Sequence, residues 1–465
     1  MEGIVRRIAR GGTALHRRES TFAAAVWRSR CGLAVAVSCG LAAAAWGSGA
    51  NAQDFAGGST ASGTVSVGAG TARFFDTSTA GTATVTLNGG VLEFHDQSSA
   101  ANAIIVNSVG VTTFDGNSTA GNATDSTQGG TTTFSDNASA GQAHLTTSVG
   151  GSYEFAGNAS AGTAVLTISE DGQLSFRGAA SAASSAIGIC TVHLAGTCAL
   201  QFSGTSTAGS ATVTIHNQGV ARFVDSAVGG TAAFVVEPGG SFDVSGLSSS
   251  GMSLGSLTTA GATTIGLKTL ALSGNFVQTG GTLSVSLTPG GGGRLVIGGT
   301  ASINGIMQVI PASGLYVKGT HFVIITAEGG VSAGGLAVTS TSSITFHAAT
   351  PSANQLDVVV DTGNFDLSSF SPDQAAIGSA LVIGSGAGSP LNAVATALAA
   401  LSPVAQAAAL DSLTAQSATA TSPAVQQTLA GFQGTLTGRA GTDVAPTAGP
   451  QLAALNASDI TLPIG

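Results

Sequence analysis

Between residues 73 and 242, short runs of alternating apolar and polar residues return about every twenty positions. Each run ends on a phenylalanine, and the separations between successive phenylalanines are 20, 20, 20, 21, 21, 26 and 21 residues. Such alternation is typical of a β-strand with one buried face. A fixed period in the twenties predicts a solenoid, in which each repeat forms one turn. The phenylalanines are Phe74, Phe94, Phe114, Phe134, Phe155, Phe176, Phe202 and Phe223.

Each repeat also contains a second strand pattern and a corner. Alanine occurs nine residues after the phenylalanine in seven of the eight copies, and apolar residues follow two and four positions later, as in Val85 and Leu87. Glycine then supplies the permissive backbone of a tight corner. The segment directly after each phenylalanine is rich in Asp, Asn, Ser and Thr, which bond their own backbone in turns. One repeat therefore predicts two or three short strands.

These patterns predict an all-β fold, a right-handed parallel β-helix with a short helical segment near the C-terminus. Stacked coils lie about 4.8 Å apart, so each phenylalanine should lie above the next in an internal ladder. The L-x-x-L-x-L spacing of leucine-rich repeats is absent, and so is the six-residue period of a left-handed β-helix. No coil can bury its apolar row alone, so stability depends on stacking.

Composition supports a repetitive exported protein more than an ordinary globular enzyme. The 465 residues include 68 glycines, with 8% charged and 5% aromatic residues. Residues 1–52 resemble an export signal, with seven arginines, an apolar run from Cys31 to Trp46 and small residues at 50–52. Cleavage is expected after Ala52. The run is short for a membrane-spanning helix.

Removal of this signal would leave 7 basic and 21 acidic residues, a net charge of −14. Such a surface disfavours binding to nucleic acid. Two cysteines also remain, Cys190 and Cys198, inside the single 26-residue repeat. In an exported protein the pair predicts a disulfide that closes a small loop, and two unpaired thiols are the alternative.

After Phe242 the strict repeat fades, and bulkier strand patterns return between residues 270 and 338. Three segments there, Gly274 to Leu283, Leu295 to Gly305 and Gly319 to Val331, resemble motifs at the C-terminal end of the passenger of bacterial autotransporters. The phenylalanine repeats resemble the β-helical repeats of the same family. The resemblance covers roughly residues 60–440 and implies a passenger whose β-helix ends in an autochaperone-like region.

The resulting domain prediction follows the chain. A signal peptide (1–52) precedes the repeat β-helix (53–260), the C-terminal β-helix (261–362), a helical segment (363–440) interrupted by Pro403, and a flexible tail (441–465). In the family a translocating outer-membrane barrel follows the helices. The remaining residues lack its strand pattern, so the barrel is expected to be absent from this chain. Loss of the barrel and a separately encoded translocator are both consistent with this.

No catalytic or cofactor site is predicted. The spacing G-x-S-x-G occurs around Ser253 and Ser332, but neither match precedes a helical pattern, and we interpret both as loops or coil corners. The histidines are scattered without zinc spacing and are interpreted as solvated positions: His95, His144, His193, His216, His321 and His347. Asp76, Asp96 and Asp136 share one repeat position. Calcium ligation is one hypothesis for them and turn capping the alternative.

The sequence therefore favours a non-enzymatic, adhesive passenger that contacts host or bacterial surface ligands or itself. It is expected at the cell surface, in the outer membrane or outside the cell, or in the periplasm where a translocator is lacking. A carbohydrate-active enzyme on a β-helix and a non-functional truncated passenger are the alternatives. A lyase site needs clustered acidic ligands beside a basic residue, and the repeats carry only Arg73, Arg177 and Arg222, on separate coils.

Overall fold

The computed structural model describes residues 52–192, 196–385, 389 and 391–417. The predicted signal peptide up to residue 51, the tail 441–465 and the end of the predicted helical segment lie outside these residues. The described chain is a parallel β-solenoid of about 12 turns, followed by three short helices. This is the fold that the twenty-residue period predicts.

One row of strands stacks along the solenoid and is called the Phe column, because most of its members end on a phenylalanine. Each strand pairs in parallel with the equivalent strand one coil away, so that Phe94 lies between Phe74 and Phe114. The members are Gln53–Phe55, Thr71–Phe74, Val91–Phe94, Val111–Phe114, Thr131–Phe134, Ser152–Phe155, Gln173–Phe176, Cys198–Phe202, Gly219–Phe223, Ser241–Asp243, Ala262–Gly266 and Thr282–Thr288.

A second row of parallel strands, the Thr column, is rich in threonine on its outer side. Each of its strands also pairs in parallel with the equivalent strand one coil away, as between Thr84 and Ile104. The members are Thr64–Val67, Thr84–Leu87, Ile104–Asn107, Thr124–Gln128, His144–Ser148, Val165–Ile168, Ala186–Ile189, Thr212–Ile215, Ala233–Val236, Ser256–Thr259 and Phe276–Gln278.

The third side of each early coil is a single bridging residue. This bridge column runs through Thr60, Thr79, Ser99, Thr119, Ser139, Ser160, Ser181, Thr207 and Val228. At the same place in the later coils, full strands replace the single bridges. They are Gly251–Leu254, Thr269–Leu272, Arg294–Ile297 and His321–Ala327.

The solenoid ends in longer and partly antiparallel strands. Ala301–Pro311 pairs with the last strands of both columns and, on its other edge, with Val331–Ser340. Gln355–Thr362 pairs antiparallel with His321–Ala327 and with Thr345–Ser352, and Gly291–Gly292 turns back on Thr282–Thr288. Parallel pairing continues without interruption across residue 260.

The C-terminal helices pack mainly on one another. A 3₁₀ turn at Leu367–Ser369 precedes α1 (Pro372–Gly384), α2 (Leu391–Ala399) and α3 (Pro403–Ser417). Ser371 caps α1 with a capping box, since its hydroxyl accepts from the Gln374 backbone N–H and Gln374 Oε1 accepts from the Ser371 N–H. Pro403 begins α3, as its fixed φ favours. Within the described residues, none of the helices combines the length and apolar character needed to cross a bilayer.

Candidate functional surface and interior sites

The predicted phenylalanines form one continuous stack inside the solenoid. Neighbouring rings from Phe74 to Phe223 lie 4.6–4.9 Å apart between centroids and within 13° of parallel. All eight side chains are buried. Burial of each ring contributes about 2–3 kcal/mol.

The sequence pattern missed how the stack begins and ends. Phe55, one coil earlier, stacks on Phe74 at 4.4 Å. At the other end Phe242 tilts by 59° against Phe223, because Phe234 from the Thr column enters the interior and packs against both. The fading of the repeat after Phe242 therefore coincides with a change of core packing. An apolar residue 19 positions before Phe74 was the available signal for Phe55.

The repeated aspartates serve the backbone of the corner. Asp76, Asp96 and Asp136 have φ values of 56°, 57° and 56°, and the equivalent residue of the intervening coil is Gly116 at 60°. Glycine, and next to it aspartate or asparagine, tolerates this left-handed conformation best. The Asp96 carboxylate accepts from the Asp76 N–H at 3.1 Å, and Asp136 accepts from the Gly116 N–H. Each of these carboxylates therefore bonds the backbone of the preceding coil, 20 residues away, and not its own turn.

The hydroxyls of the bridge column also close turns. In seven successive coils the Ser or Thr oxygen accepts a hydrogen bond of 2.9–3.1 Å from the N–H two residues later, as between Thr79 and Gly81. These hydroxyls are therefore committed to the fold. The outward Ser and Thr of the strands are a separate set.

Cys190 and Cys198 form a disulfide, with their Cα atoms 5.4 Å apart. Both residues are buried. They close the enlarged coil, of which residues 193–195, including His193, lie outside the described residues. The Thr197 N–H donates to Asp171 Oδ1 at 2.7 Å, which anchors the far side of the same loop.

The two G-x-S-x-G matches lie in strands, not in loops or corners as we expected. Ser253 belongs to Gly251–Leu254 and Ser332 to Val331–Ser340. Both serines continue parallel ladders, but only one glycine of each match is a strand residue. Gly251 and Gly334 lie in the strands, whereas Gly255 and Gly330 lie just outside them. His347 pairs instead with Asp361 across the antiparallel hairpin at 2.6 Å. Among the described residues no hydrogen bond joins either serine to a histidine.

Several histidines that the sequence suggested were merely solvated have carboxylate partners. His95 Nδ1 lies 2.9 Å from Asp115, and His216 Nδ1 lies 2.8 Å from Glu237. Each partner is one coil further on, 20 and 21 residues away. Likewise, Arg73 Nε donates to Glu93 at 2.8 Å. The separation of one repeat was the signal that could have predicted these pairs.

One buried carboxylate was not anticipated. Asp125 is 1% exposed and occupies an inward position of the Thr column, between Ile105 and Leu145 in register. Its two oxygens accept from Thr127 Oγ1 at 3.2 Å and Thr132 Oγ1 at 3.0 Å. Burial raises the pKa of Asp125 to about 7, because desolvation of the charged form outweighs these hydrogen bonds.

Tyr153 completes this polar group one coil further on. Its hydroxyl donates to the backbone oxygens of Asp125 and Thr146 at 2.9 and 3.1 Å. Burial, and next the Asp125 charge, raise the pKa of Tyr153 well above its usual value. Tyr153 is therefore a neutral donor. Within the described residues, no group of three or more His, Cys, Asp or Glu side chains is arranged to hold a metal ion.

The outer sides of the two strand columns differ in charge. The Phe column carries charged side chains at alternate outward positions, including Arg73, Glu93, Glu154, Arg222 and Asp243. The first ten strands of the Thr column carry none. Their outward residues, here called the neutral face, are Thr64, Ser66, Thr84, Thr86, Ile104, Val106, Thr124, Ser126, His144, Thr146, Val165, Thr167, Ala186, Gly188, Thr212, Thr214, Ala233, Val235, Ser256 and Thr258.

Comparison with known proteins identifies no family for this chain, so its class is defined by the geometry alone. No protein-family model matches the chain, and no curated protein matches it. What is defined is therefore the class: a parallel β-solenoid with a stacked aromatic interior, a charged outer column and a neutral one.

Proposed function

We propose that this chain is an exported, autotransporter-type passenger that acts as a non-enzymatic, adhesive rod. Two features support the proposal. The motifs between Gly274 and Val331 resemble those at the end of such passengers, and the parallel solenoid is compatible with the β-helix of that family. The place of action is the cell surface, the outer membrane or the medium.

The observation that carries the proposal is the repetition of the outer surface. The solenoid stacks about 12 turns. The outward positions of the first ten Thr-column strands are uncharged and mostly β-branched or hydroxyl-bearing. A single contact made by one coil is weak, but contacts that repeat along a rigid array raise the effective concentration of the next contact. Repetition suits adhesion to a surface, or to another array, better than recognition of one small molecule.

A cell-contact assay tests this function. Cells that express and export the full chain should aggregate or adhere to surfaces more than cells with an empty vector. A Phe134→Asp chain is the matched control, because a carboxylate in the ring stack disrupts the solenoid and leaves the rest of the sequence unchanged. Equal behaviour of all three cell lines, with the chain detected outside, contradicts the proposal.

A second assay tests the non-enzymatic part. The purified chain, incubated with uronate-containing polysaccharides, should release no unsaturated sugar, which absorbs in the ultraviolet. Turnover that the Phe134→Asp control lacks would show that the rod is an enzyme.

A further inference from the structure

We propose that the neutral face is a self-association surface, and that its partner is the same face of a second copy of this chain. The proposal rests on the adhesive function above and names one partner for it. Two copies would lie side by side with their Thr columns in contact. A shared patch of this kind gives a two-fold symmetric contact.

Charge makes this face the preferred side of approach. The chain from residue 53 onward carries 7 basic and 21 acidic residues, so the net charge opposes association of two copies. On the Phe column Glu93 and Glu154 face outward, and the corner that follows carries Asp76, Asp96 and Asp136. The outward positions of the first ten Thr-column strands include no Asp, Glu, Lys or Arg. Contact there removes no ion from water.

The side chains of the neutral face also suit a dry, flat contact. Most are β-branched or hydroxyl-bearing, and two aliphatic ones are well exposed, Ile104 at 48% and Val165 at 39%. β-branched side chains lose little rotamer freedom on burial. The hydroxyls of Thr and Ser both donate and accept, so identical rows can hydrogen-bond to one another.

The available area sets the strength of the contact. Ten strands spaced at about 4.8 Å, each about 13 Å wide, present roughly 600 Å² per copy and about 1,200 Å² in total. That total is at the lower end for specific interfaces, at about 1,200–2,000 Å². A single pair of chains should therefore bind weakly, and many chains on two opposed surfaces should bind firmly.

The salt dependence of association distinguishes contact between neutral faces from contact between charged faces. If the neutral faces meet, the remaining acidic surfaces oppose association, and screening that repulsion strengthens it. If charged faces met through ion pairs such as Arg73 with Glu93 of another copy, salt would weaken association. Sedimentation velocity of the full chain at about 50 mM and about 500 mM NaCl distinguishes the two, because the Debye length shortens severalfold between them.

Matched charge insertions locate the surface. Thr124→Glu with Thr212→Glu adds two carboxylates to the neutral face, and Gln173→Glu with Gln201→Glu adds two to the outer side of the Phe column. All four positions point outward, so the fold should persist, which thermal unfolding checks. The first pair should weaken association roughly tenfold or more, since like charges then face each other, and the second pair should weaken it much less. Thr124→Val with Thr212→Val keeps the face neutral and should retain association.

Three results would overturn the proposal. They are equal weakening by both glutamate pairs, weaker association at higher salt, or a wild-type chain that stays monomeric at every concentration. In the last case the adhesive function still stands if cells displaying the chain adhere to other surfaces. Loss of adhesion together with an intact, salt-strengthened dimer would instead reject the adhesive function and keep the dimer.

Discussion

Two successive stretches of the solenoid share one backbone path and one phenylalanine stack but differ in the rest of their interior. In the polar stretch, residues 104–155, the inward positions beside the rings include Asn107, Asp125 and Thr132. In the apolar stretch, residues 165–223, the matching positions are Ile168, Ile187 and Leu200. All six are buried. The coil therefore accommodates buried polar side chains at positions that are apolar in the next stretch.

Some buried polar side chains of the polar stretch have hydrogen-bond partners at neighbouring positions of that stretch. Asn107 Oδ1 accepts from the Gly110 N–H at 2.7 Å, and its Nδ2 donates to the Thr131 carbonyl. Thr112 Oγ1 and Thr147 Oγ1, in contrast, have no hydrogen-bond partner among the described residues. Buried polar groups without partners lower stability. We therefore infer that the polar stretch is the less stable of the two, and that its stability depends on pH.

The largest expected effect comes from moving the carboxylate into the apolar stretch. Ile187 matches Asp125 but has Ile189 and Leu200 where Asp125 has its threonine donors. Ile187→Asp should destabilise the chain by about 5 kcal/mol at pH 8, since the charge is buried without partners. Ile187→Ala, the control, should cost about 2–4 kcal/mol. Urea unfolding measures the loss of stability caused by each substitution. Equal losses would show that a carboxylate at this position is tolerated without the hydroxyl donors that Asp125 has.

The next effect is the pH dependence of the wild-type chain. The pKa of Asp125 is about 7 in the folded state against 3.8 for the free side chain. As the pH rises, the Asp125 carboxyl therefore loses its proton at a lower pH in the unfolded chain than in the folded chain. The free energy of unfolding is highest below about pH 4 and falls as the pH rises to about 7. The fall amounts to about 4 kcal/mol by proton linkage.

Urea unfolding between pH 4 and pH 8 measures this slope, and Asp125→Leu is the control. The leucine chain should lack this component of the pH dependence and should be more stable than wild type at pH 8. A slope that is unchanged by the substitution would show that other groups cause it.

The smallest effect tests one hydrogen bond. Thr132→Val removes the donor to Asp125 Oδ2 and should cost about 1–3 kcal/mol at pH 8, because the charged carboxylate then loses one of its hydroxyl donors. It should also shift the pH transition upward. Thr112→Val, one coil earlier in the same row, removes a hydroxyl without a hydrogen-bond partner in the described part of the chain, and should be neutral or stabilising. Equal destabilisation by both substitutions would contradict the proposed role of Thr132.

The solenoid could be predicted from the amino-acid sequence alone, because the period is a local property that repeats along residues 73–242. The eight phenylalanines from Phe74 to Phe223, the shared position of Asp76, Asp96 and Asp136 and the strand alternation could be assigned from spacing alone. The position of Pro403 separated the last two helices. The disulfide could be predicted because only Cys190 and Cys198 follow the predicted cleavage site at Ala52.

Features that depend on contacts between coils became visible only in the folded chain. The pairing of His95 with Asp115, the entry of Phe234 into the ring stack and the strand positions of Ser253 and Ser332 all follow from which residues the stacking brings together. Asp125 stands two residues after Ala123, where most other repeats carry an apolar residue, so the spacing could have placed it inward. Its contacts with Thr132 and Tyr153 depend on how the strands stack. The uncharged outer side of the Thr column likewise emerged only when ten separate four- and five-residue segments were aligned along one axis, because residues twenty apart in the chain become neighbours about 4.8 Å apart.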